Sequence, residues 1–130
     1  MTDRNKGKAP SQRQLKVGET IRHALAEIFV RGEIVDEVLD QYSLTVSEVR
    51  MTPDLKLATA FVLPLGGEGA EDAVQHLHKH KRFLRGELAR RVSLKFMPEI
   101  RFKIDTSFAS SKRIDEMLAS PKVARDLDAD

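Results

Sequence analysis

The chain has 130 residues, which favours a single domain, and 41% of them are hydrophobic, enough to build a core. It contains no cysteine, which excludes a disulfide scaffold, a cysteine-based zinc site and a cysteine nucleophile. The net charge of +2 hides an uneven distribution, because residues 76–104 carry nine Lys and Arg against two acids, whereas residues 17–75 are strongly acidic. A basic stripe on an otherwise acidic domain is typical of a protein that binds a polyanion.

The N-terminal segment and the lack of long apolar runs predict the cellular compartment of the protein. Residues 1–10 are polar and basic, and they lack the apolar core of a signal peptide, so we expect a disordered tail. No segment approaches the roughly 18 apolar residues of a membrane span. We therefore expect a cytoplasmic protein with no membrane partner.

The first predicted helix begins after Pro10. Ser11 and Gln14 fit an S-x-x-Q capping box, and Gly32 supplies a left-handed end. Residues 33–42 are acidic and predict only a turn or a short helical piece. An apolar face at helical spacing is formed by Leu15, Gly18, Ile21, Leu25, Ile28 and Phe29.

Two strands should follow as an antiparallel hairpin. Leu44–Met51 alternates in the manner of a strand, but its apolar positions change phase, which predicts a β-bulge near Ser47–Glu48. Residues 52–55 read Thr-Pro-Asp-Leu, with proline well placed for a turn. Alternation then continues through Lys56–Leu65, the second strand.

A helical pair and a third strand complete the predicted domain. Helical periodicity runs from Ala70 to about Val92 and is interrupted at the polar segment His78–Arg82, where we expect a kink. Ile100, Phe102 and Ile104 alternate with Arg101 and Lys103 as a third strand, and Arg113–Leu118 should form a short last helix. The order α-β-β-α-(kink)-α-β predicts a two-layer α+β domain over residues 11–120, with a three-stranded sheet, helices on one face and an acidic tail at 121–130.

Four sequence blocks in this order resemble the ribosome-binding factor A family, from about Ser11 to Leu118. They are Arg13, Val17, Ile21, Leu25, Ala26 and Ile28; Val49, Met51, Asp54, Leu55 and Ala58; Phe83, Leu84, Arg85, Pro98, Glu99, Ile100, Phe102, Asp105 and Ser107; and Arg113, Ile114, Asp115 and Leu118.

The resemblance implies a type II K-homology fold and a bacterial factor that binds the 30S small ribosomal subunit during late maturation of its 16S rRNA, including adaptation to cold. One departure stands out. K-homology domains clamp RNA with a G-x-x-G loop, and this family tends to carry an Ala-x-Gly kink instead, whereas this chain has His80-Lys81-Arg82. Gly66-Gly67-Glu68-Gly69 has the G-x-x-G spacing, but it lies between strand and helix, and Glu68 would repel phosphate, so we interpret it as a linker.

The candidate RNA-binding residues are cations in and after the kink. We expect phosphate contacts at the kink itself, and Arg101 and Lys103 should extend that surface from the solvent side of the third strand. Solvation alone remains the alternative for any charged helix face. The predicted set is Lys79, Lys81, Arg82, Arg85, Arg90, Arg91, Arg101, Lys103, Lys112 and Arg113.

The histidines and phenylalanines give weaker indications of a binding site than the cations do. His76 and His80 are spaced to chelate together, but no third ligand stands out, so we expect no metal and no other cofactor. Phe61, Phe83, Phe96 and Phe102 are expected in the core rather than as base-stacking platforms. Recognition should then depend on RNA shape and phosphate, and therefore on salt.

No nucleophile elbow, P-loop or paired-carboxylate motif is present, so we expect no enzymatic activity.

The leading hypothesis is a monomeric assembly factor that binds free small subunits rather than translating ribosomes, and that does not bind DNA. The alternatives are a generic K-homology protein for single-stranded RNA, and a protein-interaction module that uses acidic residues 33–40 and 68–72.

Overall fold

The computed structural model describes residues 9–107. Most of the predicted N-terminal tail, the predicted helix at Arg113–Leu118, Lys112 and the C-terminal tail lie outside this range. Within it, the predicted order α-β-β-α-(kink)-α-β is confirmed, and residues 33–42 contribute a single turn of 3₁₀ helix. No helix among these residues is both long and apolar enough to cross a membrane. The elements are α1 (Gln12–Val30), the 3₁₀ helix (Leu39–Gln41), β1 (Leu44–Met51), β2 (Leu57–Pro64), α2 (Ala70–Lys79), α3 (Lys81–Arg91) and β3 (Glu99–Ile104).

Both ends of α1 follow the sequence signals. The Gln14 backbone N–H donates to Ser11 Oγ at 3.1 Å, and the Ser11 N–H donates back to Gln14 Oε1 at 2.9 Å. Gly32 ends the helix at a φ of 63°, a left-handed conformation that glycine adopts without strain. Leu15 was predicted on the apolar face of this helix but is 53% exposed. It lies about 115° around the helix from the centre of the buried stripe, so it faces solvent.

The sheet has the order β1-β2-β3, with β1 antiparallel and β3 parallel to β2. The predicted bulge is confirmed, because the β1–β2 register shifts between Val46 and Glu48. The Leu55 N–H donates to the Thr52 carbonyl at 2.8 Å and closes the predicted turn. Because β3 pairs only with β2 within the described residues, one backbone edge of β3 stays open to the helical side chains beside it.

The core lies between one face of the sheet and the three helices. At Gly18, α1 approaches β1 so closely that a Cβ atom would lie 2.4 Å from the Val49 carbonyl oxygen. The opposite face of the sheet carries no helix within residues 9–107, and Leu57, Phe61 and Leu63 are half-buried there. The largest fully buried side chains are Ile21, Leu25, Ile28, Val62, Pro64, Leu77, Leu84, Leu88, Ile100 and Phe102.

Candidate nucleic-acid interface

The helical pair breaks at a single residue. α2 ends at Lys79 and α3 begins at Lys81, and His80 between them has φ −101° and ψ 16°, outside the helical region. The His80 N–H donates to the Leu77 carbonyl at 3.0 Å, which closes the last turn of α2. The predicted break within 78–82 is therefore confirmed, and it forms without an Ala-x-Gly sequence.

A residue in the loop after α1 holds the side chain of His80. Asp36 Oδ2 lies 2.8 Å from His80 Nε2 and 3.0 Å from His76 Nδ1. The other carboxylate oxygen of Asp36 accepts the N–H groups of Val38 and Leu39. The Leu39 N–H, followed by the two histidines, lowers the pKa of Asp36 well below its usual value. Asp36 thus ties the loop after α1 to the kink between α2 and α3.

The same contacts give His76 and His80 a shared partner within the protein. His76 and His80 do converge, as their spacing predicts, but they converge on one carboxylate oxygen that hydrogen-bonds to both. Residues 9–107 contain no group of three His, Cys, Asp or Glu side chains arranged to hold a metal ion. We therefore interpret the three side chains as a structural tether.

A groove opens beside the kink, between the helical pair and the edge of β3. We call it the kink groove; its volume is about 620 Å³. Lys79, Lys81 and Arg82 are exposed on its rim, and none of the three forms an ion pair with a residue in the described range. The residues that line it are His78, Lys79, Lys81, Arg82, Arg85, Gly86, Ala89, Met97, Glu99 and Ile100.

Arg85 has a different role in the kink groove. Its Nη2 donates to the Met97 carbonyl at 2.9 Å and its Nε to the Pro98 carbonyl at 3.3 Å. The guanidinium therefore holds the segment that leads into β3. Arg85 shapes the wall of the groove while remaining exposed to an anionic ligand.

His78 closes part of the β3 edge. Its Nε2 accepts the Phe102 N–H at 3.2 Å, and its ring lies 5.7 Å from the Phe102 ring. Burial, together with the charge of Lys81, lowers the pKa of His78, so the neutral imidazole is favoured. Since Glu99 and Asp105 direct their N–H groups to β2, the alternating residue Ile100 presents its backbone to the groove.

Arg90 and Arg91 are engaged with carboxylates. Arg90 pairs with Glu87 at 3.0 Å. Arg91 contacts Glu33, Glu27 at 2.9 Å and Glu87 at 3.5 Å, and the hydrogen bond that it donates to Glu33 is the main reason that the pKa of Arg91 is raised. These contacts tie the end of α3 to α1 and the loop after it. They indicate a structural role for Arg91, and neither arginine lines the kink groove.

Arg101 and Lys103 lie on the solvent side of β3, as their alternation predicts, but this is the face opposite the helices. Arg101 Nη2 donates to Thr59 Oγ1 at 3.2 Å, across the open face of the sheet. The kink groove is lined by Glu99 and Ile100 instead. Arg101 and Lys103 are not among the residues that line the kink groove, and Lys112 and Arg113 lie outside the described residues.

The expectation that four phenylalanines belong to the core is right for one of them and wrong for two. Phe102 is 2% exposed, whereas Phe83 is 41% and Phe96 is 77% exposed. Phe61 is half-buried on the open sheet face, with the Arg50 guanidinium 5.2 Å from its ring centre. Phe83 is exposed because Leu84 and Leu88 occupy the face of α3 that packs in the core, and Phe96 lies in the segment between α3 and β3.

These features define an α+β domain of the type II K-homology class in which a charged kink replaces the G-x-x-G loop. The family model described as ribosome-binding factor A matches residues 13–118. The chain belongs to the ribosome-binding factor A family.

Individual relatives agree with this assignment. A ribosome-binding factor A of Rhodopseudomonas palustris (strain BisB5) is 54% identical over 124 residues, covering 95% of this chain and 91% of the relative. The crystal structure of ribosome-binding factor A from Thermus thermophilus is 28% identical, with a TM-score of 0.57, and the match covers 70% of this chain and 94% of that one. A Thermus thermophilus homology model fitted into a cryo-EM map of a 30S complex is 27% identical, with a TM-score of 0.55, over 68% of this chain and 91% of that one.

Proposed function

We propose that this chain is a cytoplasmic ribosome assembly factor that binds the immature 30S subunit and assists late maturation of its 16S rRNA, including at low temperature. Membership of the ribosome-binding factor A family carries the proposal. A related protein fitted into a 30S complex supports the choice of partner. The role requires binding alone, by a monomer, to free subunits rather than to translating ribosomes, and no enzymatic step.

The kink groove is the proposed contact surface. Lys79, Lys81 and Arg82 are available to phosphate oxygens, because no carboxylate of residues 9–107 neutralises them. Each such contact displaces condensed cations from the RNA, so binding should weaken as salt rises. The Asp36 tether holds His80 at the kink from which the three cations project, which reduces the backbone entropy lost on binding.

Sedimentation with purified subunits tests the proposal. At moderate salt, the protein should co-migrate with immature 30S particles and be absent from translating ribosomes in the same gradient. Short single-stranded RNA of unrelated sequence, added in excess, should displace little of it. If the protein fails to co-migrate and binds such RNA equally well, it is instead a generic single-strand binder.

A further inference from the structure

A second groove continues from the kink groove, and its lining includes an exposed aromatic ring and apolar side chains that phosphate contacts would not use. Its volume is about 690 Å³, and it lies between the start of α1, the β1–β2 turn and the segment before β3. Arg85, Met97 and Glu99 line both grooves, so the two form one surface path. We call the second one the Phe96 groove.

Phe96 is the most unusual side chain in this groove. It is 77% exposed, and the Lys95 ammonium lies 5.7 Å from the centre of its ring. Val17, Leu55 and Leu94 give the groove an apolar floor beside the ring. An exposed aromatic ring over an apolar floor offers a flat ligand a face on which to stack.

The charges around the ring select an anionic ligand. Arg13, Lys56, Lys95 and the shared Arg85 outnumber the two acids that line the groove. Of those acids, Asp54 has one oxygen engaged within the β1–β2 turn, because its Oδ1 accepts the Lys56 N–H at 3.0 Å and the Thr52 hydroxyl at 2.6 Å. A ligand that combines a flat ring with negative charge therefore fits this groove best.

We infer that Phe96 stacks on an unpaired base of the RNA whose phosphates lie along the kink groove. This inference rests on the proposed function, since it identifies the class of RNA that the site takes: a strand with at least one base free of pairing. Bases of unpaired RNA commonly stack on aromatic side chains, and such stacking tolerates different sequences. An acidic peptide is the competing occupant, but it would not explain why the Phe96 groove continues into the kink groove, where the RNA phosphates are proposed to lie.

A tryptophan at position 96 reports on the base directly. The chain has no tryptophan, so Phe96→Trp introduces a single one that can be excited selectively over Tyr42, and Phe83→Trp is the matched control on the exposed side of α3. An unstructured RNA oligonucleotide should quench the emission of the Phe96→Trp variant and leave that of the control nearly unchanged. The same oligonucleotide with abasic residues throughout should quench neither, whereas quenching by oligoglutamate to the same extent as by RNA would overturn the inference in favour of a peptide.

Affinity for the subunit provides the second measurement. Phe96→Ala should weaken binding to immature 30S particles about 5- to 150-fold, the range expected when a stacking ring is removed, while Phe83→Ala should change it little. If wild type binds particles normally and Phe96→Ala binds equally well, the inference is wrong and the proposed function stands. If wild type binds no particles but RNA still quenches the Phe96→Trp variant, the proposed function fails and base stacking at position 96 stands.

Discussion

Lys79, Lys81 and Arg82 form no ion pair within the described residues, and removing their charges should change the salt dependence of binding by a predictable amount. The perturbation is the triple variant Lys79→Gln, Lys81→Gln and Arg82→Gln. All three side chains are exposed and make no ion pair within residues 9–107, so their loss should leave the fold intact. Each phosphate contact adds about 0.7 to 0.9 to the slope of log K against log salt, so the variant should lose about 2 to 3 from that slope.

This slope converts into affinities that can be measured. Between about 50 and 200 mM salt, a slope difference of about 2 to 3 makes the wild-type affinity fall roughly 20- to 60-fold more than that of the variant. Filter binding to immature 30S particles across that range measures both slopes, and circular dichroism checks the fold. The matched control Arg22→Gln, Arg31→Gln and Arg50→Gln removes the same charge from residues that pair with carboxylates. Equal slopes for wild type and the kink variant would refute the reasoning.

Three further predictions concern the contacts around the groove. Asp36→Asn should lower the urea midpoint of unfolding at neutral pH. Because the fold lowers the pKa of Asp36, the stabilisation by its carboxylate is complete above the usual pKa of 3.8 and is lost as the pH falls below that value. The urea midpoints of the wild type and the variant should therefore converge in acid, and a gap that stays constant with pH would contradict this. Arg91→Gln should also lower the urea midpoint but leave the salt slope of binding unchanged, whereas a flatter slope would place Arg91 at the RNA. His78 has a lowered pKa, so any gain in RNA affinity from its protonation should begin below the usual 6.5, and His78→Gln should abolish that gain in a titration of affinity against pH.

Local signals explain why much of the fold could be predicted. The capping box at Ser11, the phase change at Ser47–Glu48 and the polar interruption at His78–Arg82 each act over a few neighbouring residues, and the structure confirms all three. Leu15 shows the limit of such reasoning. A leucine near the edge of an apolar stripe is consistent with the helical period, yet only the position of the sheet decides whether it is buried.

The site was less predictable because its partners lie far apart in sequence. The i, i+4 spacing of His76 and His80 was visible, but nothing local pointed to Asp36, which lies 40 residues from the nearer histidine. Likewise, the contact from Arg91 to Glu27 spans 64 residues. Arg101 and Lys103 were correctly placed on one side of a strand, but which face of the sheet the helices cover is a tertiary property.

Cleavage of rRNA from a defined position tests most directly whether the kink groove contacts the subunit. Because the chain has no cysteine, Lys81→Cys provides a unique attachment point for an iron chelate that generates hydroxyl radicals. Thr45→Cys, on β1 at the other edge of the sheet, is the matched control. We expect strong, localised cleavage of 16S rRNA from position 81 and weak cleavage from position 45. Equal cleavage from both positions, or stronger cleavage from position 45, would contradict the account.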